Sequence, residues 1–324
     1  MTDELEREIR ICSVNEMKNA PDLQPLWGNW IFRNSVILQA GVPGLRKTTF
    51  NYAFSRHIAD DEAFLGIEPV EKGYTIFIFD PESHDSLIKA RMRGIGWPKD
   101  DSRLMICNDS SIKLPQLEPY IERQGIKPDI IFVDPIRVAF GTRDENDNAE
   151  AAKKATYLRN LAFKYHCAVF AVHHSSKADV SGTNKGAGAG ALVALADISL
   201  NFDALGEGWP KNIFKMSMPK NRFIDDDFLV FIKAESKTFV VVKPPEGYLD
   251  GEHEGATVRY TIQQRIAQLL NPHVPESPQS IFEKLGSNCS KQAIHLALDN
   301  LLALGTAENP SFGKYFKNDK KPPT

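Results

Sequence analysis

The chain has 324 residues, of which 42% are hydrophobic and 25% are charged, and its formal net charge is −3. This length favours about two domains, and the composition is that of a soluble globular protein. The small net charge excludes a protein that binds nucleic acid over its whole surface, and no run of ~18 apolar residues predicts a membrane span.

Neither the N-terminus nor the cysteines indicate secretion. The chain begins with MTDELERE, which is charged and acidic and therefore unlike a secretory signal. The four cysteines are scattered without a CxxC pair, so the sequence predicts neither a zinc site nor a disulfide framework. We therefore expect a cytoplasmic protein that does not contact a membrane.

Residues 1–34 are predicted to form a helical or irregular lead-in, in which Trp27 and Trp30 stand just before the first core strand. Between residues 35 and 243, apolar runs fit for buried strands alternate with helical or loop stretches. Continuous apolar strands separated by ~20–30 residues predict crossover connections and a parallel sheet with both faces covered. The closely spaced last runs predict an antiparallel edge hairpin on this α/β core. The predicted strands are Val36–Ala40, Tyr74–Phe79, Leu104–Cys107, Ile130–Val133, Ala168–Val172, Ile198–Phe202, Phe214–Met218, Phe228–Ala234 and Thr238–Val242.

A linker and a small second domain follow the α/β core. Residues 244–256 are rich in proline, glycine and acids, which is typical of a linker. Residues 257–324 predict three helices and a hairpin, which is the layout of a winged helix-turn-helix domain. The predicted helices are Tyr260–Leu270, Ser277–Leu285 and Ser290–Leu304, and the hairpin tip is at 309–313.

A phosphate-binding loop is predicted directly after the first core strand. The pattern G-x-x-x-x-G-K-[ST] is matched at Gly41, Lys47 and Thr48. A strand, a glycine-containing turn and a helix N-terminus form an anion site from backbone N–H groups and the helix dipole. Lys47 would contact the β- and γ-phosphates of ATP, and the Thr48 hydroxyl would bind Mg²⁺. The candidate nucleotide-binding residues are Gly41, Val42, Pro43, Gly44, Leu45, Arg46, Lys47, Thr48 and Thr49.

Arg46 departs from this pattern, because it stands where the second glycine is expected. Glycine normally allows close backbone approach, or a positive φ, beside the phosphates. An arginine with helical dihedrals at this position would cost little. The alternative interpretation is a strand–turn–helix segment that carries Lys-Thr by chance.

Two acidic residues at strand ends are candidates for the chemistry. Asp134 ends the hydrophobic strand in Pro128–Pro135, where a carboxylate could hold Mg²⁺ through water, although an Asp-Pro turn after a strand is common. Glu82 follows the strand Tyr74–Phe79 and is the candidate base that orients the attacking water. Asp80 is the competing candidate in the same turn.

Basic and imidazole side chains follow later strands. His174 could sense the γ-phosphate, although a capping or core histidine is the simpler interpretation. The glycine-rich stretch 180–190 would line a central pore with Lys177 and Lys185 on a nucleic-acid backbone, or would be a flexible connector. Arg222 could act as a finger on the nucleotide of a neighbouring subunit, although a surface basic pair is the plain alternative. Arg137 and Arg143 are the other arginines considered for that role.

Together these motifs resemble the plasmid RepA-type hexameric replicative helicases, which are RecA-like P-loop ATPases of the AAA family. The resemblance covers roughly 27–243. It rests on the following segments: Gly41–Thr49, Phe79–Glu82, Asp129–Pro135, Gly141–Glu150, His173–His174 and Gly188–Asp197. It implies a RecA-like core that assembles in a ring with ATP at the subunit interfaces.

The resemblance also implies a role for individual residues. Lys47 and Thr48 would serve the phosphates and Mg²⁺, Glu82 would be the catalytic base, and Asp134 would serve the metal. His174 would sense the γ-phosphate. Two further residues, Lys220 and Arg222, match a Lys-x-Arg element that acts in trans in related helicases. The stretch Lys185–Ala191 is poorer in serine and arginine than the usual form.

From these features we expect an ATP-hydrolysing DNA motor, a ring-forming replicative helicase of a plasmid, phage or integrated element. Single-stranded DNA would pass through the pore of a homo-oligomer, most simply a hexamer, with a primase or initiator as a further candidate partner. From residue 255 onward, eight Lys or Arg stand against five Asp or Glu, which suits duplex DNA at the winged helix, although many such domains bind protein. The alternatives are a nucleotide-switched DNA-binding replication or regulatory ATPase without unwinding activity, and a degenerate ATPase kept as a scaffold.

Overall fold

The computed structural model of the protein describes residues 12–28, 30–141, 147–174, 192–224, 228–243, 245, 266, 269–271, 274–285, 291–303, 307–311 and 314–317. The strands are β1 Pro25–Trp27, β2 Ile31–Phe32, β3 Ser35–Gly41, β4 Ile76–Phe79, β5 Leu104–Cys107, β6 Ile130–Val133, β7 Ala168–His174, β8 Ile198–Ala204, β9 Ile213–Asn221, β10 Phe228–Ala234, β11 Phe239–Val242, β12 Ala307–Ser311 and β13 Lys314–Lys317. The helices are α1 Val14–Met17, α2 Lys47–Ala59, α3 Asp85–Ile95, α4 Leu114–Arg123, α5 Ile136–Phe140, α6 Asn148–Tyr165, α7 Pro278–Leu285 and α8 Lys291–Ala303. Within these described ranges, no helix combines the length and the apolar composition that a membrane crossing requires.

Nine of the described strands form one sheet in the order β11-β10-β9-β8-β3-β7-β6-β4-β5. Strands β3 to β8 run parallel to one another, whereas β9, β10 and β11 continue the sheet as antiparallel strands beyond β8. The nine apolar runs of the sequence are the nine strands of this sheet, so the predicted α/β class is confirmed. The antiparallel edge is longer than the expected hairpin, because β9 pairs with β8 as well as with β10.

Alternation along the strands divides the core into two layers, one on each face of the sheet. Ile37 and Ile130 pack in the layer that contains α2, whereas Val36 and Ile131 pack in the layer that contains α4 and α6. Because helices cover both faces, the open places are the edges where the strands end. In such sheets, ligands bind beyond the carboxyl ends of the parallel strands.

The second half of the lead-in is part of the core. Strands β1 and β2 pair antiparallel, and the side chains of Trp27 and Trp30 are each 1% exposed. The Trp27 indole Nε1 donates a hydrogen bond to the carbonyl oxygen of Ile67 at 2.9 Å. The prediction of a helical or irregular segment is therefore wrong here, because strands of two and three residues are too short to produce an alternating pattern.

The C-terminal elements occur in the order predicted for a winged helix. Helix α7 begins at Pro278, and the Ser277 hydroxyl caps it by accepting a hydrogen bond from the Ser280 backbone N–H at 3.0 Å. Strands β12 and β13 form an antiparallel pair. Most of the predicted helix Tyr260–Leu270 and of the linker 244–256 lies outside the described residues. The winged-helix assignment and the domain boundaries stay predictions.

Phe54 of α2 joins the lead-in to the sheet, and its truncation tests that joint. Its ring lies 4.7 Å from the Trp27 ring and 5.7 Å from the Phe170 ring, measured between centroids. Phe54→Ala should lower the free energy of unfolding by about 3–5 kcal/mol, because it leaves a cavity in this packed layer. Phe163→Ala, at a ring that is 58% exposed, should change it by less than about 0.5 kcal/mol. Equal losses in urea unfolding of the two variants would contradict this packing.

Candidate nucleotide-binding site

The carboxyl ends of the parallel strands bring the predicted motifs to one edge of the sheet. Gly41 at the end of β3 pairs in register with His174 at the end of β7. Asp134 directly follows β6, and its backbone N–H donates to the carbonyl oxygen of Phe79, the last residue of β4, at 2.9 Å. The phosphate loop, the histidine pair, the metal candidate and the turn after β4 therefore lie in one row.

Close backbone contact explains the glycine at the start of the loop. A Cβ on Gly41 would lie 2.4 Å from the carbonyl oxygen of Phe202 in β8, a distance at which no side chain fits. Gly44, in the middle of the loop, has a φ of 90°, which also favours glycine. Helix α2 starts at Lys47, so the loop leads into a helix N-terminus as an anion site requires. The other loop candidates are Val42, Pro43, Leu45 and, in the first turn of α2, Thr49.

Arg46 occupies the position before α2 in a left-handed conformation, with a φ of 61° and a ψ of 19°. The condition of helical dihedrals, under which its cost would be small, is therefore not met. A non-glycine residue in this conformation costs roughly 1–2 kcal/mol. The side chain is exposed, and within the described part of the chain no hydrogen bond or ion pair engages its guanidinium.

Lys47 is buried at the start of α2, with 3% of the residue exposed. Its Nζ donates hydrogen bonds to the carbonyl oxygens of Gly41 at 2.5 Å and Val42 at 3.0 Å, both in the loop itself. Burial lowers the pKa of Lys47 to about 8, while the nearby charge of Asp134 acts to raise it. The ammonium group thus stands inside the loop, ready to exchange carbonyl oxygens for phosphate oxygens.

Asp134 and Thr48 form the candidate metal site. The Thr48 side chain hydrogen-bonds to the carboxylate of Asp134, and the second oxygen, Oδ2, is buried with no hydrogen-bond partner in the described ranges. Burial raises the pKa of Asp134 to about 7, and the charge of Asp80 raises it further, whereas Thr48, Arg91 and Lys47 act to lower it. A buried acceptor without a partner, beside a hydroxyl, is the donor chemistry that Mg²⁺ prefers. These two residues therefore fit the metal.

The turn after β4 separates the two candidates for the catalytic base. Asp80 is 1% exposed, and both of its carboxylate oxygens accept hydrogen bonds from protein groups. Glu82 is exposed, so of the two it is the carboxylate that water can reach. In the sheet, β7 and β6 separate β4 from β3, so this turn is not the neighbour of the phosphate loop that we expected. Tyr52 of α2 makes the connection instead, through a hydrogen bond to Asp80.

His174 is held neutral. Its pKa is lowered to about 4 by burial, and further by the charges of Lys47, His173 and Arg137. Its ring atom Nδ1 is buried and has no hydrogen-bond partner among the residues described. Arg137, which the sequence ranked below Arg222, is thus the arginine whose charge acts on this cluster.

Lys220 and Arg222 lie at the opposite edge of the sheet. Arg222 contacts Asp197, whose carboxylate accepts a hydrogen bond from Val36 at the start of β3. Val36 and Gly41 are separated by roughly 16 Å along the strand. Arg222 is 44% exposed at its side chain and lines an open cleft of about 600 Å³. The structure therefore does not bring this pair to the phosphate loop of its own chain.

The ammonium group of Lys220 is fully engaged in a local contact. It donates to the carbonyl oxygens of Val193, Ala194 and Ala196 at 2.8, 2.9 and 2.7 Å, and so holds the helical turn at 192–195. An ammonium group has three donor hydrogens, so these contacts use its capacity. Arg222 remains the candidate to act in trans.

Some predicted features lie outside the described residues, and some functional side chains were not predicted. Arg143, Lys177, Lys185 and the glycine-rich stretch 180–190 belong to the first group. Tyr52 and Arg91, which both hydrogen-bond to Asp80, belong to the second. The spacing of four residues from Thr48 could have indicated Tyr52, because residues at i and i+4 share a helix face.

Comparison with known proteins agrees with this geometry. The AAA domain family matches residues 8–180, more than half of the chain. The structure is similar to a solved helicase ATPase domain, with a TM-score of 0.51 and 14% identity over 65% of this chain and 86% of that one. It is also similar, at a TM-score of 0.49 and 15% identity, to the KaiC-like protein PH0186 from Pyrococcus horikoshii OT3, covering 66% of this chain and 91% of that one. Among curated proteins there is no match. The fold is that of the RecA-like P-loop ATPases.

Replacing Arg46 tests the conformation at the end of the loop. Arg46→Gly should raise the free energy of unfolding by about 0.5–1 kcal/mol, because relief of the left-handed strain exceeds the entropic cost of glycine. Arg46→Ala keeps the Cβ and should leave stability nearly unchanged. Urea unfolding measures both variants, and an equal gain in the two would show that the strain lies elsewhere.

Replacing His174 tests its protonation state. Between about pH 6.5 and pH 4 the unfolded chain binds a proton at this residue and the folded chain does not, so stability falls as the pH falls through that range. Relative to His174→Gln, the wild-type protein should lose stability over this range and show no further relative change below it. Urea unfolding at a series of pH values gives the two curves. Parallel curves would mean that His174 titrates normally.

Proposed function

The chain belongs to the AAA domain family, and on that premise we propose that it hydrolyses ATP to drive a motor on DNA, as a ring-forming replicative helicase. One observation carries the proposal above all. Thr48, Lys47 and the buried, half-satisfied carboxylate of Asp134 converge at the N-terminus of α2. This is the donor set that a Mg²⁺-bound triphosphate requires.

Each residue of the site has a task in hydrolysis. Lys47 exchanges the carbonyl oxygens of Gly41 and Val42 for oxygens of the β- and γ-phosphates. Thr48 and Asp134 hold Mg²⁺, which neutralises phosphate charge when bound. Glu82 orients a water molecule for in-line attack and accepts its proton.

His174 completes the arrangement around the terminal phosphate. A neutral imidazole has one donor and one acceptor nitrogen, so it can report the γ-phosphate through a hydrogen bond without adding charge. The lowered pKa of His174 and its unpartnered Nδ1 support this role. Strand β7 then links the site to the stretch that follows it in the chain.

A ring supplies the remaining positive charge. Arg222 is at the far edge of the sheet and half-exposed beside the cleft, so only a second subunit could bring a nucleotide to it. We place it as the trans-acting arginine of a homo-oligomer, most simply a hexamer, with Lys220 holding the turn beside it. The charge balance of the C-terminal region supports duplex DNA as the ligand of the winged helix.

The test is the ATPase rate of protein of known oligomeric mass, with and without single-stranded DNA. Wild-type protein should hydrolyse ATP and do so faster with DNA, because the motor couples the two. Lys47→Ala should lose hydrolysis in both conditions, since the phosphates lose their cation, while its circular dichroism stays that of the wild type.

Lys99→Ala removes an exposed lysine away from the phosphate loop and serves as the matched control, with wild-type rates. Normal turnover by Lys47→Ala would contradict the site. Hydrolysis that is indifferent to single-stranded DNA, together with duplex-specific footprints and no unwinding, would replace the motor with a nucleotide-switched DNA-binding ATPase.

A further inference from the structure

A buried carboxylate connects three elements beside the candidate site. Oδ2 of Asp80 accepts hydrogen bonds from the Tyr52 hydroxyl of α2 at 3.0 Å and from Arg91 of α3 at 3.2 Å. Oδ1 accepts from the backbone N–H of Ser83 at 3.1 Å. Asp80 therefore ties two helices to the turn that follows β4.

That turn carries Glu82. The backbone N–H of Ser83 also approaches the carbonyl oxygen of Asp80 at 3.3 Å, which closes a turn with Pro81 and Glu82 at its centre. Proline at the second position fixes φ in the way such turns prefer. On the far side, Arg91 donates to the Ser83 hydroxyl at 2.5 Å. The backbone is thus held on both sides of Glu82, and the freedom left is that of its own side chain.

The same contacts reach the phosphate loop along one face of α2. Thr48 and Tyr52 are four residues apart, so their hydroxyls lie one above the other on that face. Thr48 contacts Asp134 and Tyr52 contacts Asp80, and these two acids follow the register partners Val133 and Phe79 of neighbouring strands. Two parallel hydroxyl–carboxylate contacts therefore fix α2 against the ends of β6 and β4.

We propose that Tyr52 and Arg91 are positioning residues for hydrolysis, which act through Asp80 to hold Glu82 at a fixed distance from the phosphate loop. This inference rests on the proposed function, because it needs Glu82 to be the base. Loss of either contact leaves the loop able to bind nucleotide but lets the turn that carries Glu82 shift. A shift of about 1 Å at a reacting group can cost up to ~100-fold in rate.

The test is a double-mutant cycle on the full chain. Tyr52→Phe should lower kcat about 10- to 100-fold with KM and the ATP dissociation constant unchanged, since it removes the hydroxyl and keeps the buried ring. In the Glu82→Gln background the same substitution should change the residual single-turnover rate by less than about twofold, because the group that it positions is gone. Arg91→Met should behave like Tyr52→Phe, and Arg91→Lys should recover part of the rate.

Tyr74→Phe is the matched control, because Tyr74 is also buried and its hydroxyl accepts a hydrogen bond from Glu71, in the chain before β4. Its kcat should equal that of the wild type. A wild-type kcat for Tyr52→Phe beside an inactive Glu82→Gln would overturn the positioning role alone. A loss that appears in KM, or that persists in the Glu82→Gln background, would also overturn it. Wild-type turnover by Glu82→Gln would remove the proposed base, and the positioning role with it.

Discussion

The register between helix α2 and the ends of strands β4 and β6 is the constraint on which the candidate site depends. The helix begins at Lys47, and its first two turns present the hydroxyls of Thr48 and Tyr52 to the carboxylates of Asp134 and Asp80. Because the strands are parallel neighbours, these acids stand side by side at the same edge. The phosphate loop, the metal candidate and the turn of the base are thereby held in one arrangement by short contacts.

The charges at this edge explain why the site favours a ligand. Burial lowers the pKa of Lys47 and raises that of Asp134, so each group carries its charge at a cost in the free protein. Two buried acids repel one another, and Arg91 and Lys47 offset them only in part. A bound triphosphate with its metal would satisfy both the ammonium and the carboxylate. The site is thus organised in advance for charges that the chain does not itself supply.

Sequence patterns predicted the sheet because nine apolar runs are long enough to be recognised, and they predicted the loop because Gly41, Lys47 and Thr48 keep a fixed spacing. They did not predict strands β1 and β2, which are too short for a periodic signal. Nor did they indicate the left-handed Arg46 or the carbonyl contacts of Lys220, since both depend on tertiary geometry. The roles of Glu82, His174 and Arg222 rest on resemblance and position, and remain proposals.

The most direct test of the central claim is a crystal structure of the Glu82→Gln variant with ATP and Mn²⁺ in place of Mg²⁺. The predicted result has the β- and γ-phosphates in the loop 41–49, the Nζ of Lys47 moved from the Gly41 and Val42 carbonyls to phosphate oxygens, and the anomalous signal of Mn²⁺ beside Thr48 and Asp134. A nucleotide bound elsewhere, for example in the cleft lined by Arg222, with Lys47 still bonded to its own loop, would contradict the account.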